Sequence, residues 1–202
     1  VSPFQKNLEE KNALPYPVFY DTSASTKKDM VIVFGDESIY RCYSEYLPKY
    51  EIFVKKLTDF FEALEKKYSD YRLYYKPHPD DDNGTFMPGI DPKKYNLFDN
   101  RINAQAILDC YYSRIKAVYT FSSSSVTFSS FFGIPSYTFY RYLFNRAGIE
   151  RFDAIFERDG IKSEFLFHIS DLKEIGKIDN LERVKSLSSD SLEAKYHELL
   201  KI

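Results

Sequence analysis

The segment Met30-Val31-Ile32-Val33-Phe34 restricts the possible folds of this chain more than any other. Five consecutive apolar residues closed by Gly35 make a strand covered on both faces, because a half-solvated strand alternates apolar and polar residues. Strands of that kind belong to parallel sheets with helices on each side. Further strand-like runs follow at residues 71–75 and 117–121, with another over 136–140 and shorter ones at 95–98 and 164–167.

Helical spacing lies between them. Ile52, Phe53, Leu57, Phe60, Phe61 and Leu64 share one stripe over residues 49–68, and Ala104, Ile107, Leu108 and Tyr111 share another over 104–112. Residues 126–132 read as a short helix stopped by Gly133 and Pro135, and 181–200 as a terminal helix. Strands alternating with helices predict an α/β, Rossmann-like domain over 30–202 with a mostly parallel sheet. Residues 1–29 read as an arm or linker: Leu14-Pro15-Tyr16-Pro17 cannot continue a helix, and 21–29 are polar.

In such sheets ligands bind beyond the strand C-termini, where the strand order reverses. Two motifs fall there. Lys76-Pro77-His78-Pro79 leaves the second strand, and its prolines bar both ladder and helix. A histidine held between prolines can give a proton to a leaving phosphate or bond its oxygens, and Lys76 adds positive charge. A histidine in a tight turn with no ligand is the plainer reading. Ser122-Ser123-Ser124-Ser125 leaves a buried strand and opens a helix, where main-chain N–H groups and the helix dipole favour an anion. Simple N-capping is the plainer reading there. Taken together, the motifs point to a nucleotide phosphate held by the serines and a leaving oxygen held by His78.

The Lys-Pro-His-Pro stretch, the Ser123-Ser124 pair and Gly133-Ile134-Pro135 resemble the HP and SS motifs of bacterial GT-B glycosyltransferases. Sialyltransferases and polysialyltransferases are the best look-alikes, with capsule polysaccharide transferases and CDP-glycerol glycerophosphotransferases close behind. The resemblance spans about residues 30–140. It implies one half of a GT-B fold, with His78 and Pro79 on a CMP moiety and His78 as general acid. Ser123, Ser124 and the adjoining Ser125 would hold the phosphate or the donor carboxylate. The implied reaction moves sialic acid from a CMP donor to a bacterial surface glycan, with no metal or other cofactor. A polyol-phosphate or other capsule transferase is one alternative, and a non-catalytic nucleotide-binding module is another. GT-B enzymes draw the acceptor and catalytic base largely from an N-terminal domain, whereas only an arm precedes Met30 here. The expectation is that this domain is missing from these residues or supplied by a second subunit. Asp36 and Glu37, after the first strand, are the acidic loop residues placed to substitute, unless they form an ordinary solvated turn.

Other classes have less support. A net charge of −2 gives no global attraction to nucleic acid. No Gly-x-Gly-x-x-Gly, Walker or Gly-x-Ser-x-Gly pattern occurs. Asp80-Asp81-Asp82 invites a divalent cation, but beside Asn83-Gly84 it reads better as a turn. Cys42 and Cys110 are too few for a disulfide framework or zinc site. No apolar run nears the ~20 residues of a membrane span. The cytoplasm is the expected compartment, with peripheral attachment at the inner membrane as a variant. Arg141, Arg146 and Arg151 follow the last clear strand; arginine there can grip a sugar carboxylate bidentately or simply line an amphipathic helix.

Overall fold

The computed structural model describes residues 28–80, 86–158 and 163–181. The expected arm, apart from Lys28 and Asp29, and all but the first residue of the expected terminal helix lie outside them, as do Asp81 and Asp82. In chain order the elements are β1 (Met30–Phe34), α1 (Ile39–Tyr43), α2 (Tyr50–Lys67), β2 (Arg72–Lys76), β3 (Tyr95–Leu97), α3 (Ala104–Tyr111), β4 (Ile115–Thr120), α4 (Ser125–Phe131), β5 (Ser136–Thr138), α5 (Tyr140–Leu143), α6 (Arg146–Arg158) and β6 (Leu166–His168).

All six strands run parallel in the order β3-β2-β1-β4-β5-β6. This is the Rossmann-like sheet expected from the sequence. The chain builds outward from β1 to β3, then crosses back to start β4 on β1's other side. The order therefore reverses between β1 and β4. The β1 strand is the hub, buried along its whole length.

Period-two alternation sends its side chains into two cores. Val31 and Val33 join Ala117, Tyr119 and the α2 residues Phe53, Leu57, Phe60, Phe61 and Leu64. Met30, Ile32 and Phe34 join Val118 and the α3 residues Ile107 and Leu108 on the opposite face. Each fully buried aromatic or branched side chain contributes about 1.5–3 kcal/mol, so the α2 face with its stacked rings is the heavier anchor. At the opposite end of β1, Arg114 clasps Asp29 bidentately at 2.8 and 2.9 Å. That clasp joins the entrances of β1 and β4.

Two regions differ from the sequence reading. Residue 140 opens a helix instead of ending a strand: Phe139 leaves the extended region at φ −123°, ψ 17°, and its N–H bonds Thr120 O at 3.1 Å. The helix α6 begins among arginines and contains Gly148, which weakens its helical signature. That glycine lets α6 approach closely, since a Cβ there would sit 2.7 Å from Tyr46 Cβ and 2.9 Å from Phe144 Cγ.

Candidate functional site

Main-chain bonding continues beyond the strand ends and fixes the loops that leave them. Phe34 pairs with Lys76 on one side and Thr120 on the other. Thr120 pairs with Thr138, and Thr138 with His168. The exits of β2, β1, β4, β5 and β6 are therefore level. Past them, Gly35 N–H bonds Lys76 O at 2.8 Å, Phe139 N–H bonds Thr120 O, and Ile169 N–H bonds Thr138 O at 2.8 Å. At one inter-strand spacing per step, the β2 and β4 exits stand about 10 Å apart across β1.

On the β2 side, the Glu37 carboxylate takes the Tyr75 hydroxyl on Oε1 and the His78 N–H on Oε2, the latter at 3.1 Å. Tyr75 is fully buried and also accepts the Met87 N–H at 3.0 Å. Glu37 thereby ties the loop after β1 to the loop after β2. Asp36 accepts the Ser38 hydroxyl at 2.9 Å. The Lys76 ammonium is buried and donates to two carbonyls, Pro77 O and, at 2.9 Å, Asn100 O. Burial lowers its pKa, against the pull of Glu37 and Asp99. The His78 ring stays 43% exposed, so it can meet a ligand. Its Nδ1 accepts the Asp80 N–H at 3.2 Å, which places the proton of the neutral ring on Nε2.

On the β4 side, Thr120 is fully buried, and its hydroxyl accepts the Ser123 N–H at 3.2 Å. Ser123 Oγ accepts the Ser125 N–H at 3.2 Å and donates to Ser125 Oγ at 3.1 Å. Ser124 is exposed and its hydroxyl makes no capping bond. The serine turn is thus bent into a cup, with Ser124 on its rim.

A further cluster, not assembled by sequence reading, occupies the β5 and β6 exits. Thr138 Oγ1 and His168 Nδ1 are 2.6 Å apart. Tyr140 donates its hydroxyl to Asp153 Oδ1 at 2.6 Å, and Arg141 Nε reaches the same oxygen at 2.9 Å. Burial, followed by the nearby Arg141, pushes His168 down to about 4. The only advance signal was a polar residue at the last position of each strand, Thr120, Thr138 and His168. The other two arginines are surface residues: Arg146 pairs with Glu150 in the open, and Arg151 lies over Tyr46.

Among the described residues no three His, Cys, Asp or Glu side chains group as a metal site. No described helix is long and apolar enough to cross a membrane. The two cysteines are free.

The chain matches no protein-family model and no curated protein sequence. Among solved structures it is similar to a chain provisionally named the MAR1 ribonuclease of Leishmania donovani. That likeness has 11% identity and a TM-score of 0.49, over 88% of this chain and 93% of the other. It is also similar to S. aureus MnaA in a structure with UDP, at 11% identity and a TM-score of 0.39. The match covers 87% of this chain but spans only 37% of the MnaA chain. Neither likeness is close enough to carry an argument about chemistry.

Proposed function

We propose that the edge at the β1/β4 reversal binds the phosphate of a nucleotide sugar, and that the chain is the donor-binding half of a glycosyltransferase. One observation carries this reading: His78 and the Ser123–Ser125 cup leave level strands on either side of β1, about 10 Å apart. A nucleotide phosphate in the cup and a leaving oxygen at His78 fit one ligand. The turn supplies the exposed Ser124 hydroxyl, while the protonated His78 ring, with Asp80 Oδ2 3.6 Å from its Nδ1, supplies a proton from Nε2 and returns to the neutral form. As the sugar–oxygen bond breaks, that proton goes to the departing phosphate oxygen and keeps its charge from accumulating.

Lys76 plays a different part from the one its sequence position suggests. Held by two carbonyls, it adds field to the rim and fixes Pro77, leaving contact to His78 and the serines. Pro79 limits the loop's freedom on the far side of the ring. Glu37 positions His78 through the backbone, and Asp36 braces the turn after β1. The acceptor, and the base that activates it, belong to a partner domain or subunit. CMP-linked sialic acid is the preferred donor and a surface glycan the acceptor, on the strength of the motif resemblance. The reaction proceeds without a metal, so EDTA leaves the rate unchanged.

The test is a thermal-shift titration with CMP, CDP, UDP and GDP. A ligand at 100 times its Kd stabilises by about 2.7 kcal/mol, and CMP is expected to give the largest shift. No shift with any nucleotide overturns the proposal. A preference for CDP moves the reading to a polyol-phosphate transferase. Binding without turnover, in the presence of every candidate partner domain, leaves a nucleotide-binding module. In the assembled enzyme His78→Ala should lower kcat about 100-fold or more with little change in donor Kd. Equal losses in both would make His78 a binding residue only.

A further inference from the structure

The cluster at the β5 and β6 exits lies outside the phosphate cup yet is joined to it by one residue. Thr120 takes the Ser123 N–H on its hydroxyl and the Phe139 N–H on its carbonyl. The cup and the turn that carries Arg141 are therefore held in fixed relation, one strand apart. Ser123 lies three positions after Thr120, and Arg141 three positions after its partner Thr138.

Arg141 is held unlike the other arginines of that region. Its side chain is only 34% exposed, against 92% for Arg146 and 57% for Arg151. Asp153 meets it through Nε alone, and the Tyr140 hydroxyl lies beside it. No other carboxylate comes within ion-pair distance of the guanidinium among the described residues. This side-on anchor orients the fork while leaving the terminal amino pair, the end that grips a planar anion, outside the ion pair. His168 beside it is neutral at pH 7, because burial holds it near 4. Arg141 is thus the cation of the cluster.

We propose that Arg141 forms a second anion subsite beside the serine cup, taking a carboxylate or second phosphate carried by the same nucleotide ligand. The proposal rests on the nucleotide reading above and narrows it to ligands with two anionic groups. Asp153 and Tyr140 position the fork. A neutral His168 leaves the guanidinium as the group that selects.

NMR titrations of the full chain test this, followed at the Arg141 Nε–H, the His168 ring and the Ser123–Ser125 amides. CMP carries one phosphate, CDP two, and CMP-sialic acid a phosphate and a carboxylate. CMP should move the serine amides and leave Arg141 in place. CDP or CMP-sialic acid should move both, and the one that moves Arg141 further identifies the second group as phosphate or carboxylate. Inorganic phosphate alone should move Arg141 at higher concentration. Arg141→Lys keeps the charge but removes the fork, and should weaken the better two-anion ligand about tenfold while changing CMP affinity less than about twofold. Arg141 unmoved by CDP, CMP-sialic acid and phosphate alike overturns the proposal. So does a lysine variant that weakens CMP as much as the others. Arg141 moved by phosphate, with serine amides unmoved by every nucleotide, would instead sink the nucleotide reading and leave the subsite standing.

Discussion

The exits of β2 and β4 are level and close, but they use their polar groups in opposite ways. At the β2 exit the charges are consumed inside the protein: Glu37 by Tyr75 and His78, Lys76 by two carbonyls. At the β4 exit the serines bond one another, Thr120 and the first turn of α4, and Ser124 stands exposed. One rim is stiff and presents a single ring, and the other is a turn that presents the exposed Ser124 hydroxyl. A stiff rim costs stability when it is cut, while the cup costs affinity.

The largest effect expected of that difference is at Gly35. Its Cα lies so close to the Tyr75 hydroxyl and Glu37 Oε1 that an added Cβ would overlap both. Tyr75 is fully buried and cannot swing away. Gly35→Ala should therefore lose about 3 kcal/mol in urea unfolding, the upper range for overpacking. A variant within about 0.5 kcal/mol of the parent, the scatter of ordinary surface changes, would show that the rim is soft.

Lys76→Met comes next. It keeps the length of the side chain and removes the ammonium, stranding the Pro77 and Asn100 carbonyls. The expected loss is about 2 kcal/mol of stability, with CMP affinity changed less than about threefold, under 1 kcal/mol. A large loss of affinity with stability intact would reverse the assignment and put Lys76 on the phosphate.

These two residues show what the sequence disclosed and what it hid. Apolar runs and helical stripes gave the strands and the helices α2, α3 and α4, because burial on both faces writes an unbroken pattern at β1 and β4. The two candidate motifs stood out since proline and serine at strand ends are chemically conspicuous. Partnership was not legible. Nothing in the sequence says that Glu37 reaches Tyr75 and His78, or that Lys76 turns inward to Asn100, since those depend on strand order and register. The Asp153 cluster was hidden because Asp153 meets Arg141 and Tyr140 only once α6 folds back on α5. Gly35 read as a strand terminator, whereas its lack of a Cβ is what admits the Glu37–Tyr75 bond.

The β6 exit offers a third, milder contrast. Burial lowers His168 to about 4, so the unfolded chain binds its proton more tightly than the folded one. Its contribution to stability is present in full above pH ~6.5 and is lost as pH falls toward ~4. The full shift implies roughly 3 kcal/mol, and partial solvent access reduces the expectation to about 1–2 kcal/mol between pH 7 and 4.5. Urea unfolding of the parent and of His168→Gln at both values measures it. Equal losses in the two proteins would remove His168 as the cause.

The smallest effects separate two neighbouring serines. Ser123 Oγ holds the Ser125 N–H and the Ser125 hydroxyl, so Ser123→Ala should cost about 1 kcal/mol of stability, one net hydrogen bond. Ser124 is exposed and its hydroxyl makes no cap bond, so Ser124→Ala should leave stability within about 0.5 kcal/mol. If its hydroxyl reaches the phosphate, CMP affinity should fall about fivefold, one net hydrogen bond. The pair is read by unfolding and by titration on the same samples. A Ser124 variant that binds CMP as well as the parent would confine the phosphate to main-chain donors of the cup. The contrast between rims would then rest on backbone geometry, with the serines retained for the turn they allow.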